Sequence, residues 1–134
     1  MASQTLCLIV DDDEITRLVN RTTLNEIFHN IKEAENGLEA LICIDNAGTR
    51  PVVVILDLDM PIMNGYKVID SIAANQPYYS NVNIIVVSAN NASEFISSSY
   101  YNKVFAFVEK PVNKGQLKNV CMQLLHTYVQ TAKA

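Results

Sequence analysis

The chain has 134 residues, of which 49% are hydrophobic and 18% charged, with a net charge of −4. This is the profile of one soluble globular domain with a substantial core. It excludes a membrane span, because the apolar runs are too short, and direct nucleic-acid binding, because Lys and Arg form no cluster.

Met1-Ala2-Ser3-Gln4 carries no basic, apolar signal sequence. Cys7, Cys43 and Cys121 lack metal-type spacing and read as reduced thiols of a cytoplasmic protein. Leu6-Cys7-Leu8-Ile9-Val10 is a continuous apolar run of the kind buried on both faces in a parallel sheet. It leads straight into Asp11-Asp12-Asp13-Glu14, where acids suit a helix start and Asp13 reads as the cap. Capping explains one or two of the four, but not two acids at the end of a buried strand. A helix is expected from about Asp13 to Phe28, its apolar positions being Ile15, Leu18, Val19, Leu24, Ile27 and Phe28.

Ile31 to Glu35 alternates like an edge strand, and Asn36-Gly37 opens a second helix that stops near Ala47-Gly48. The central strand runs from Pro51 to Asp57, carrying the apolar run Val52-Val53-Val54-Ile55-Leu56 with Asp57 at its carboxyl end. After Leu58-Asp59-Met60-Pro61, Asn64-Gly65 starts a third helix with Tyr66, Ile69, Ile72 and Ala73. Asn83 to Ser88 is a fourth strand ending on a hydroxyl, followed by a weak serine-rich helix from Ala92 to Tyr100. Val104 to Val108 is a fifth strand, then come Glu109-Lys110-Pro111 and a well-patterned last helix carrying Leu117, Val120, Cys121, Leu124 and Tyr128. His29 and His126 read as surface or helix-end residues, and the tyrosine pairs 78–79 and 100–101 as packing or loop residues.

Strands alternating with helices imply a parallel sheet covered on both faces. Its strand ends would bring Asp11, Asp12, Asp57, Ser88 and Lys110 to one edge, where open α/β sheets bind ligands. Crowded carboxylates repel by roughly 3 kcal/mol per pair at about 5 Å and an effective dielectric of 20. A hard cation with oxygen ligands relieves that repulsion.

Val10-Asp11-Asp12, Asp57-Leu58-Asp59-Met60-Pro61 with Asn64-Gly65, Ser88-Ala89 and Lys110-Pro111 together resemble the receiver domain of bacterial two-component response regulators. The similarity covers about residues 5 to 129 of a single domain spanning 1–134, with a short tail at 130–134, so the chain reads as a stand-alone, CheY-like receiver. The resemblance implies a flavodoxin-like (βα)5 fold with strand order 2-1-3-4-5. It also implies that Asp57 is the phosphoacceptor, and that Asp11, Asp12, Asp57 and the Asp59 carbonyl hold Mg²⁺, with Mn²⁺ as a substitute. Ser88 and Lys110 would contact the phosphoryl group, Phe107 would be the switch aromatic, and Asp59 and Asn90 would flank the acyl phosphate. The Lys110–Pro111 peptide would be cis.

Such a domain is not an enzyme beyond its own phosphorylation and dephosphorylation. The donor would be a sensor histidine kinase or a histidine phosphotransfer protein. Output would be a protein contact at the fourth helix, fifth strand and fifth helix. A haloacid-dehalogenase-like phosphatase fits Asp57-Leu58-Asp59 superficially, but Pro61 stands where that family has Thr or Val. A flavodoxin-type FMN carrier needs a phosphate-binding loop where this chain has four acids.

Overall fold

The computed structural model describes residues 4–133, with side chains to residue 129; residues 1–3 of the segment read as lacking a signal sequence, and residue 134 of the expected tail, lie outside it. Five parallel strands, β1 (Leu6–Val10), β2 (Asn30–Ala34), β3 (Val52–Leu56), β4 (Val82–Ser88) and β5 (Ala106–Glu109), form one sheet of order β2-β1-β3-β4-β5. The helices α1 (Glu14–Leu24), α2 (Gly37–Asn46), α3 (Gly65–Ala74), α4 (Ala92–Ile96) and α5 (Lys114–Lys133) alternate with them. This is the expected doubly wound arrangement. No helix among the described residues is long and apolar enough to cross a membrane.

The two-residue period of the strands sorts the core onto two faces. Leu6, Leu8, Val10, Val52, Val54, Leu56, Ile84 and Val86 pack beneath α2, α3 and α4 through Ala40, Ile44, Val68, Ile69, Ile72 and Phe95. Cys7, Ile9, Val53, Ile55, Ile85 and Val87 pack beneath α1 and α5 through Leu24, Leu117, Cys121 and Leu124. Because β1, β3 and β4 are covered on both sides, their sequences read as unbroken apolar runs. Edge strand β2 is largely exposed and reads as an alternation.

Five expectations need correction. Helix α1 ends at Leu24, not near Phe28: Thr23 Oγ1 bonds back to the Val19 carbonyl at 2.8 Å, and Asn25 caps the end. Ile15, Leu18 and Val19 also do not face the core, although Leu24 and Phe28 are buried in it. Ile15 and Leu18 are 66% and 58% exposed, whereas Arg17, Asn20 and Thr23 are buried with Leu24. The third is α4, which stops at Ile96 because Ser98 Oγ donates to the Phe95 carbonyl at 2.6 Å and accepts from the Tyr100 amide at 3.2 Å. A 3₁₀ turn, Tyr101–Lys103, follows, and β5 begins at Ala106. At the other end, α5 continues to Lys133 through residues expected to form a tail.

Candidate phosphoacceptor site

Backbone hydrogen bonds align the strand ends. The Asp11 amide donates to the Ala34 carbonyl (3.1 Å), the Asp57 amide to the Val10 carbonyl (2.9 Å) and the Lys110 amide to the Ser88 carbonyl (2.9 Å). The expected residues are therefore delivered to one edge by sheet pairing rather than by loops. Ligand oxygens of Asp11, Asp12 and Asp57 lie within 4.8 Å of one another. Asp11 and Asp57 are buried and Asp12 is exposed.

Asp11 is held from every side. Its Oδ1 accepts the Asp13 amide at 2.9 Å, its Oδ2 accepts Lys110 Nζ at 2.9 Å, and its carbonyl accepts Arg17 Nη1 at 2.8 Å. Asp13 is the helix cap expected: its carboxylate accepts the Thr16 amide and hydroxyl. Lys110 Nζ stands 3.7 Å from Asp57 Oδ1. The Lys110–Pro111 peptide is cis, as the resemblance implied; Gln76–Pro77 is cis as well.

Burial raises the Asp57 carboxyl from 3.8 to about 6. The Lys110 charge pulls against this, the Asp11 charge adds to it, and the Asp59 and Leu58 amides lower it. Asp57 is thus still mostly a carboxylate at neutral pH. For Lys110, burial disfavours the ammonium, but the hydrogen bond to Asp11 and the charges of Asp57 and Asp11 prevail, and its pKa rises.

Gly65 lets the third helix start against this floor. A Cβ there would overlap the Asp57 carbonyl and press on the Leu58 Cα. Beside it, Ile62 adopts φ 68°, a left-handed conformation unfavourable for a β-branched residue.

Ser88 is fully buried, and its Oγ accepts the Asn90 amide at 3.2 Å. Phe107 is half-buried, with its ring stacked on Phe95 at 4.9 Å between centroids. The Asp59 side chain is exposed and outside the carboxylate cluster. Sequence reasoning missed Arg17, which lies outside the apolar positions read for the first helix, and Phe95, which occupies a segment read only as a weak serine-rich helix. The signal for Arg17 was its spacing: Arg17, Asn20 and Leu24 share one helical face.

The donor set suits a hard divalent cation: clustered carboxylate oxygens, with no sulfur or imidazole. A family model for the response regulator receiver domain matches residues 7–121. Hybrid signal transduction histidine kinase A of Dictyostelium discoideum is 31% identical over 115 residues, covering 84% of this chain. The chain spans 5% of that kinase's length and 15% of two rice response regulator-like proteins. Such matches extend the resemblance beyond bacteria.

Among solved structures, the signal receiver domain of a LuxO repressor protein from Vibrio parahaemolyticus has a TM-score of 0.80 at 25% identity, covering 95% of each chain. The response regulator TrrA of Thermotoga maritima, solved in complex with Mg²⁺ and BeF, has a TM-score of 0.75 at 30% identity, covering 90% of this chain and 98% of that one.

Proposed function

This chain belongs to the response regulator receiver domains, a signalling family, and on that premise we propose that Asp57 accepts a phosphoryl group from a phosphohistidine donor and switches a protein-binding face. The observation that carries the reading is the buried, mostly ionised Asp57 facing Lys110 across a three-carboxylate cluster.

An Asp57 oxygen attacks phosphorus as the P–N bond to the donor's imidazole breaks; with the other ring nitrogen protonated in the donor, the products are an acyl phosphate and a neutral histidine. No protein base is required, because the nucleophile carries no proton. Lys110 meets the developing charge on the phosphoryl oxygens. Mg²⁺, or Mn²⁺ in its place, would supply a share of that charge neutralisation when bound and would relieve repulsion among the acids. Asp12, Asp57 and the Asp59 carbonyl would hold the ion, with the immobilised Asp11 supporting them.

The donor is a sensor histidine kinase or a histidine phosphotransfer protein, and it must touch the rim of the site. Exposed Ile15, Leu18 and Val19 form an apolar rim on α1. A groove of about 240 Å³ runs from Ile15 and Val19 to Lys110, Pro111 and Val112. These features support α1 as the donor's landing place. The output face is α4, β5 and α5; Ile96 on α4, Tyr101 in the 3₁₀ turn and Phe105 just before β5 are exposed.

Drawing Ser88 toward the phosphate takes its hydroxyl from the Asn90 amide and frees space along β4, into which Phe107 turns. Incubation with Mg²⁺ and acetyl phosphate tests the reading by intact mass. Addition of one phosphoryl group, abolished by EDTA, supports it; no addition overturns it.

A further inference from the structure

Helix α1 buries a cation, Arg17, on its inward face together with Asn20, Thr23 and Leu24. Arg17 is 9% exposed, yet a charge in this position contributes less to packing than a well-fitted apolar side chain of similar volume. Its guanidinium spans two strands. Nε donates to Glu33 Oε1 at 3.0 Å on β2, and Nη1 donates to the Asp11 carbonyl at 2.8 Å at the end of β1. Glu33 is anchored in turn by Arg21 Nε at 2.6 Å, and Arg21 Nη2 donates to the Ile31 carbonyl at 3.1 Å.

The carbonyl that Arg17 grips belongs to the peptide joining Asp11 to Asp12. Three other bonds hold Asp11, through its amide and both carboxylate oxygens. The Arg17 bond acts directly on the peptide plane from which Asp12 projects. Asp12 is exposed, so its direction depends on the backbone more than on packing.

We propose that Arg17 is a positioning residue for the divalent cation: it fixes the Asp11–Asp12 peptide so that the Asp12 carboxylate stands beside Asp57 before the ion arrives. Glu33 holds the other side of the fork and so sets its angle. A lysine would keep the charge without the two-directional grip. The inference rests on the phosphoacceptor reading of the site.

Mn²⁺ titration followed by the EPR signal of the free ion tests it on the wild type, Arg17→Met and Arg17→Lys, alongside melting with and without Mg²⁺. Arg17→Met should weaken Mn²⁺ binding about tenfold, as expected when a residue that orients a ligand is lost. The rise in Tm on adding Mg²⁺ should shrink, and Arg17→Lys should fall between the two. A purely structural role would lower the metal-free Tm alone. Wild-type Mn²⁺ affinity in folded Arg17→Met overturns the proposal, and if that variant does not fold, wild-type affinity in Arg17→Lys does so. A wild-type protein that binds no Mn²⁺ overturns the phosphoacceptor reading itself, and this inference with it.

Discussion

Lys110 is bonded to Asp11, at 2.9 Å, and only approaches Asp57, at 3.7 Å. The ammonium is therefore stored on one acid and aimed at its neighbour. A phosphoryl group on Asp57 brings oxygens toward Lys110, and the lysine can engage them with a small motion.

Replacing the ammonium should cost rate rather than fold. Lys110→Gln should slow phosphorylation by acetyl phosphate at least about tenfold, since a lost donor to developing charge typically costs more than that. The rate of mass gain at saturating Mg²⁺ measures it.

Asp57 makes stability depend on pH with a definite sign. Its folded value of about 6 exceeds its ordinary 3.8, so between these values the fold holds the proton more tightly than the unfolded chain. The stability from this group is present below about 3.8 and lost as pH rises through about 6. Asp57→Asn cannot ionise. In EDTA it should be more stable than the wild type at pH 7, by roughly 2–3 kcal/mol at most, and the gap should close below about pH 4. Urea unfolding of both proteins across that range measures the gap.

Ile62 carries a strain that its surroundings do not repay, being 77% exposed at φ 68°. Asn tolerates the left-handed region far better than a β-branched residue. Ile62→Asn should stabilise the protein by about 1 kcal/mol in chemical denaturation.

The switch has its own test. Saturation with Mg²⁺ and beryllofluoride should shift backbone amides throughout residues 88–108, together with the Phe107 ring. Ser88→Ala should still be phosphorylated but show a reduced NMR response across α4 and β5. Shifts confined to residues touching Asp57 would contradict the mechanism.

The strand order came from the family resemblance, whereas the strands and the acid-bearing edge were legible because buried parallel strands write themselves as apolar runs with polar residues at their ends. Val52 to Asp57 and Leu6 to Asp11 show this directly. Helix α1 was misread for the opposite reason. Its apolar triad Ile15, Leu18 and Val19 follows helical spacing but faces outward, because the inward face is taken by Arg17, which reaches Asp11 and Glu33. Periodicity locates a stripe and does not say whether the core or a partner covers it. The end of α4 was hidden because Ser98 can bond locally to the backbone, which a count of helix formers does not register. Phe95 was overlooked for a related reason: its role comes from stacking on Phe107, a tertiary contact.

The central claim is that the phosphoryl group resides on Asp57, and borohydride trapping tests it most directly. After reaction with acetyl phosphate and Mg²⁺, reduction converts an aspartyl phosphate to homoserine, which peptide mass mapping locates. The account predicts homoserine at position 57 alone and none in Asp57→Asn. Homoserine at Asp11, Asp12 or Asp59 in the wild type, or undiminished phosphorylation of Asp57→Asn, would contradict it.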